Sequence, residues 1–315
     1  MIFGESKVKD LYRKVVWGPG REALEQSPDT WELRLIRAAA RGAARGLGGR
    51  SGHIASNLRR AFPDRTDHVA LSRDAFAAHF SNQYLSFTFG KCTAENWTKY
   101  IQFEGLEHLE RAHALGKGVV LMHPHMGPAQ LPLHVLGVLG WPMHQVGGGE
   151  VTLVELSETG RWAAETRARL ERRMPVTLHD GKKFLRPIVR ALKGGAVVMS
   201  ACDGTGGGTE LGRRYPRTVL GQTMPVPVGP VWMAYVSGAP LLTIHCFRSR
   251  DSDALFTARI GAAVPLSRDE GKAAALDDGA DHIARYLDAT LRAHPGDWLF
   301  WDGFEPGGLL PEEVP

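Results

Sequence analysis

Residues 116–134 read GKGVVLMHPHMGPAQLPLH. Gly116-Lys117-Gly118 introduces an unbroken apolar run, Val119–Met122, and two histidines, His123 and His125, flank a proline at its end. A short apolar run bounded by glycines marks a strand buried on both faces. The helical stretch from Leu131 to Leu139 then makes this half of a βαβ unit.

The same rhythm continues outward. Upstream, YIQFEG (100–105) reads as a strand and LEHLERAHAL (106–115) as a helix. Downstream, PMHQV (142–146) is a strand, a long polar helix runs from about Thr152 to Arg173, and MPVTLH (174–179) is the next strand. KKFLRPIVRALKGG (182–195) is a helix that feeds the strand AVVMSACD (196–203). After a Gly-rich loop, PVGPVWMAYVSGA (227–239) reads as a helix, PLLTIHCF (240–247) and ALFTARIGAAV (254–264) as strands, and Asp278–His294 as a closing helix. Strands alternating with helices predict an α/β fold, with a mixed, mostly parallel central sheet flanked by helices.

The first part of the chain is different. From Asp29 to about Cys92 the pattern is helical, and Trp31, Leu35 and the pair Ala38–Ala39 share one face of WELRLIRAAARGAARGL. A serine able to cap the next helix opens SGHIASNLRRAF (51–62), and Pro63 ends it. The expected organisation is a helical cover over residues 1–95 on an α/β core over 96–315, together one compact domain. The cover either shields the core or presents a basic amphipathic face to a membrane.

Composition excludes several classes. At 315 residues, with 43% hydrophobic and 23% charged residues, the chain can bury a sizeable core and is not a disordered protein. Its net charge of +4 is concentrated early, at Arg34, Arg37, Arg41, Arg45, Arg50, Arg59 and Arg60, which suits an anionic surface or an acidic partner. Cys92, Cys202 and Cys246 have neither metal-ligand nor disulfide-framework spacing, so a reducing compartment is expected. No signal peptide and no apolar run of about 20 residues is found, so the expected location is cytoplasmic, with peripheral contact at the inner membrane face. No module for nucleic acid is present.

Ligand sites in such sheets lie beyond the carboxyl ends of the strands. Two ends carry titratable groups straight after an apolar run: VVLMHPHMG (119–127) and VVMSACDGTGGG (197–208). Gly204–Gly208 is not a phosphate loop, since neither G-x-x-x-x-G-K-[ST] nor G-x-G-x-x-G is there; it reads as a loop that shapes or covers a pocket. The nucleophile elbow G-x-S-x-G is also missing.

These strand ends resemble a family. HMGPAQ from His125 resembles the H-x4-[DE] box of the lysophospholipid acyltransferase superfamily. The chain is more similar to its bacterial branch of lipid A lauroyl/myristoyl acyltransferases and phosphatidylinositol mannoside acyltransferases. The likeness extends over most of the chain: IASNLRRAFPD resembles the N-x-x-x-A-F-P helix end, KKFLRPIVRALKGGAVVMSACD the helix, Gly turn and strand ending in Asp, MPVPVGPVWMAYVSGAPLLTIHCFR the long central segment, and HPGDWLFWDGF the C-terminal H-P-x-x-W-x-W signature.

The resemblance implies transfer of a fatty acyl group from a thioester of acyl carrier protein or coenzyme A to a hydroxyl or amine of a glycolipid or lipid-like acceptor. It implies no metal and no redox cofactor. The chemistry asks for a base to take the acceptor's proton and for donors around the developing oxyanion. His125 is the implied base, backbone amides near Gly127 the oxyanion donors, and His123 a structural neighbour. Where the family has the box acid this chain has Gln130, and an amide cannot stabilise imidazolium as a carboxylate does. Glu150 falls where the mannoside branch has a glutamate paired with its histidine, and is the expected substitute; it also reads as an acidic residue at a helix start. Asp203 matches the family's Asp after its strand and is expected to organise the site.

Lys182, Lys183, Arg186, Arg213, Arg214 and Arg217 are candidates for holding a substrate phosphate, against the alternative of cations facing water. Met224–Met233 is either the wall of an acyl tunnel or plain core. Three other functions stay open: acylation of a soluble metabolite, hydrolysis of the thioester, and acyl binding without catalysis. On this reading the N-terminal membrane anchor usual in the lipid A enzymes is not expected here.

Overall fold

The computed structural model describes residues 7–46, 48–147, 156–180, 185–204 and 212–304. Five helices come first: α1 (Lys7–Val15), α2 (Arg21–Gln26), α3 (Trp31–Gly46), α4 (Gly48–Ala61) and α5 (His68–Asn82). Then β1 (Ile101–Glu104), α6 (Leu106–His113), β2 (Val119–His123), α7 (Gln130–Val138), β3 (Met143–Gly147), α8 (Glu158–Glu171), β4 (Thr177–Asp180), α9 (Arg186–Lys193) and β5 (Val197–Ala201) alternate. The chain continues through β6 (Arg214–Val219), β7 (Gln222–Pro227), α10 (Gly229–Ser237), β8 (Leu241–Arg248), β9 (Phe256–Ile260) and α11 (Lys272–Ala293).

Seven strands form one sheet in the order β1-β9-β8-β2-β5-β3-β4. The five from β8 to β4 are mutually parallel; β9 runs antiparallel to β8, and β1 parallel to β9. The sheet is therefore mixed and mostly parallel, with helices around it and a helical N-terminal region, as the alternation predicts. Period-two geometry explains the unbroken run in β2. Val120 and Met122 face one core with α10, α11 and the aromatic residues Trp298, Trp301 and Phe304. Val119 and Leu121 face the other, with Leu131, Leu133 and Leu136 of α7.

Three elements depart from the sequence reading. The buried face of α3 is Glu32, Leu33, Ile36, Arg37, Ala40 and Ala44, while Trp31 and Leu35 stay 51% and 47% exposed and Ala38 and Ala39 also face out. Leu33, Ile36, Ala40 and Ala44 make a stripe that lasts the whole helix, and the charges it draws in are paired. Lys91 Nζ lies 2.6 Å from Glu32 Oε2, and Arg37 Nη2 3.1 Å from Asp74 Oδ1. Second, β6 and β7 form a separate antiparallel hairpin that the sequence hides, because Pro216 and Pro225 stand opposite each other within it. Prolines demote a run as a strand, yet an isolated ribbon is all edge and tolerates them. Third, α11 starts at Lys272, ahead of the expected Asp278.

Two of the quoted sequence motifs meet in space. Asn57 Nδ2, from IASNLRRAFPD, donates to Trp301 O at 2.7 Å, and Phe62 packs edge-on against Trp301 with ring centroids 5.7 Å apart. His79 Nδ1 also contacts Leu299 O at 3.0 Å. The N-terminal helices thus grip the segment that follows α11.

Candidate active site

β2 and β5 are hydrogen-bonded neighbours with His123 opposite Ala201, so the turn after β2 and residues 202–203 emerge side by side. Pro124 carries the chain out of β2, and His125 turns toward Asp203. Its Nδ1 lies 2.8 Å from Asp203 Oδ1, and its backbone N–H donates to Asp203 Oδ2 at 2.7 Å. Trp298 Nε1 donates to the same Oδ2 at 2.9 Å. Burial raises the Asp203 carboxyl, but the His125 charge and these donors outweigh it and hold the carboxyl below its ordinary value. A carboxylate only accepts, so the Asp203 bond places the His125 proton on Nδ1 and leaves the lone pair on Nε2. The His125 side chain is 23% exposed, whereas that of Asp203 is wholly buried.

The segment after α11 fastens the turn from the other side. Leu299 N–H donates to His125 O at 3.0 Å, and Gly127 N–H to Asp297 O at 2.7 Å. Met126 and Trp298 form an isolated antiparallel bridge, and the Phe300 ring lies 4.7 Å from that of His125. Gly127 has φ +51°, and a Cβ there would stand 2.9 Å from Cys246 O, so both the backbone conformation and the space call for glycine.

His123 is buried, with Nδ1 3.2 Å from Pro124 O. Burial, helped by the charge of His125, lowers it to about 4, so it is neutral at pH 7. The other expected residues fall as follows. Gln130 opens α7, its amide 3.5 Å from Gln145 Oε1, and the carboxylate on His125 is Asp203. Glu150, Lys182 and Lys183 lie outside the described residues. Arg186 opens α9, and Arg213 and Arg214 lead into the hairpin. Arg217 binds Asp277 and Asp281 of α11, both at 2.5 Å, and so ties the hairpin to that helix. Met224, Val226, Val228, Val231 and Met233 are packed in the core.

The turn amides are already engaged. Met126 N–H donates to Pro124 O, Gly127 to Asp297 O, Ala129 to Gly127 O and Leu131 to Pro128 O. The Gly127 amide itself is taken by Asp297 O. Sequence reasoning did not assign a role to Trp298; its signal was the aromatic-rich run Trp298–Phe304, quoted only as a signature.

A partly exposed histidine oriented by a buried carboxylate stands at the carboxyl ends of parallel strands, where α/β folds hold their ligands. A family model described as bacterial lipid A biosynthesis acyltransferase matches residues 20–302. The chain belongs to that family, and it is an acyltransferase. Among solved structures it is similar to the 1-acyl-sn-glycerophosphate (LPA) acyltransferase PlsC from Thermotoga maritima, at 13% identity and a TM-score of 0.36, over 91% of this chain and 99% of that one. No curated protein matches it.

Proposed function

We propose that the chain transfers a fatty acyl group from a thioester of acyl carrier protein or coenzyme A to a hydroxyl or amine of a lipid-like acceptor. The observation that carries this reading is the 2.8 Å contact between His125 Nδ1 and Asp203, which leaves Nε2 as a base on an accessible ring. Nε2 takes the acceptor's proton as its oxygen or nitrogen attacks the thioester carbonyl. The tetrahedral intermediate then expels the thiolate, which takes that proton back from Nε2. Asp203 stabilises the imidazolium between the two transfers, worth most because the carboxylate is dry.

The acceptor reading is a lipid because of the outer face of α3. Trp31 and Leu35 are exposed on the same helix as the exposed Arg41 and Arg45, an apolar and cationic combination that suits the surface of an anionic bilayer. Among the described residues no helix is long and apolar enough to cross a membrane, so contact of this kind is peripheral.

The test is product mass spectrometry on a panel of acyl-carrier-protein and coenzyme A thioesters, with lipid and soluble acceptors, for the native chain and His125→Ala. The expected result is acceptor-dependent acyl transfer that His125→Ala abolishes. Acceptor-independent thiol release would make the enzyme a hydrolase, and turnover that survives His125→Ala would remove the base assignment.

A further inference from the structure

A second cluster of charge lies next to the His125 turn, and acyl transfer as derived above makes no use of it. Arg34 and Arg37 of α3, Ser81 and Asn82 at the end of α5, and Arg248 at the end of β8 line one cleft, with Gly127 and Pro128 as a wall. It is narrow, with a cavity volume of about 30 Å³, and opens to solvent on one side. Leu33, Leu85 and Phe256 give it an apolar lining as well.

The charges here are not balanced. Arg37 is buried and shares Asp74 Oδ1 with Arg41, at 3.1 and 3.2 Å. Neither Arg34 nor Arg248 has an ion-pair partner among the described residues. The one carboxylate in the cleft, Asp297, accepts a 3.4 Å bond from the Arg248 backbone and makes no ion pair among the described residues. Burial, and after it the charge of Arg248, depresses the Arg37 guanidinium against the opposing pull of Asp297 and Asp74. Burial likewise raises the Asp297 carboxyl. Three polar atoms of the lining residues are buried with no partner: Arg37 Nε, Ser81 Oγ and Asn82 Oδ1. Buried polar groups are normally satisfied, and each orphan costs about 1–3 kcal/mol. Arg37 Nε and the serine hydroxyl are donors, and turning the Asn82 amide presents its NH2 instead.

We propose that this cleft binds a phosphate group of one of the enzyme's substrates. The four guanidinium groups of Arg34, Arg37, Arg41 and Arg248 exceed what Asp74 and Asp297 neutralise, and their planar forks match phosphate oxygens. Gly127 and Pro128 sit two and three residues past His125, so a phosphate held here anchors its substrate beside the turn that carries the base. The phosphate belongs either to the pantetheine arm of the acyl donor or to the headgroup of a phosphorylated acceptor. The assignment of a substrate rests on the acyl-transfer reading; the affinity of the cleft for phosphate does not.

The test is thermal unfolding and calorimetry of the full chain with inorganic phosphate, against chloride at equal ionic strength. Phosphate is expected to raise Tm where chloride does not. Arg248→Gln and Arg34→Gln should each weaken phosphate at least fivefold, and Asp297→Asn, which removes the opposing carboxylate, should tighten it. His125→Ala should bind phosphate as the native chain does, so failure of the base assignment leaves this result standing. Competition then separates the sources: displacement by 4′-phosphopantetheine assigns the donor, and displacement by glycerol 3-phosphate the acceptor. Stabilisation no greater than with chloride, unchanged affinity in both arginine variants, or displacement by neither fragment would overturn the proposal.

Discussion

Replacing Asp203 by Asn should disable the enzyme by moving one proton. Asp203 Oδ2 faces two N–H donors, from His125 backbone and Trp298 Nε1, so in Asp203→Asn the amide oxygen is driven to that side. The amide NH2 group must then point at His125 Nδ1, which lies 2.8 Å from the carboxylate in the native chain. A donor there forces Nδ1 to accept and puts the ring proton on Nε2, where the base has to be free. Loss of the proper tautomer and of the charge on the imidazolium is worth about 10³–10⁴-fold in kcat, or about 4–5.5 kcal/mol. Since Asn removes a buried charge without changing shape, the fold should survive, with Tm within a few degrees. The assay is acceptor-dependent thioester turnover, together with 15N NMR of the His125 ring. The native ring should show its proton on Nδ1 and the variant on Nε2. Activity within tenfold of native, or an unchanged tautomer in Asp203→Asn, would refute the reasoning.

Further outcomes are expected elsewhere. Trp298→Phe removes one of the three donors on Asp203 and keeps the ring packing; kcat should fall about tenfold, from one charge-assisted bond, with KM unchanged. Gly127→Ala meets both the positive φ and Cys246 O, and should cost about 1–3 kcal/mol in urea unfolding. Lys91→Met strands the buried Glu32 and should cost about 3–5 kcal/mol, most of it recovered by adding Glu32→Gln, as a double-mutant cycle would show. Acid should weaken the fold through His123 and His245, whose burial lowers them to about 4 and about 3 from 6.5. The unfolded chain takes up those protons first, so stability is full above pH 6.5 and lost as pH falls toward 4. At pH 5 the loss is roughly 2 kcal/mol for each histidine, and unfolding curves at pH 7, 6 and 5 should be flatter with pH in His245→Asn.

How much of this was legible beforehand depended on whether the signal was local. The strand β2 could be read from Val119–Met122 because its glycine borders and continuous apolar run are contained in one short segment. The mostly parallel sheet followed from the alternation, and His125 stood out as a titratable group at a strand end. The hairpin β6–β7 was invisible because Pro216 and Pro225 contradict strand propensity and only the partner ribbon overrides it. On α3 two apolar sets compete, Trp31/Leu35 and Leu33/Ile36/Ala40/Ala44. The helical period alone does not say which one meets the core.

The architecture and the proposed base were written in the order of residues, since periodicity and a strand-end histidine are properties of chain neighbours. Which carboxylate lies on His125 among the described residues was settled by packing. Gln130 and Asp203 are both close to the His125 turn, one in chain and the other in space, and the pairing of β2 with β5 brings Asp203 onto Nδ1. The same is true of Trp298, which lies far along the chain and reaches Asp203 because residues 297–300 are bonded along the turn. The arginine cleft exists only where α3, α5 and β8 converge. Hydrogen bonds and charge act through a few ångströms of space, and no spacing along the chain reports those distances.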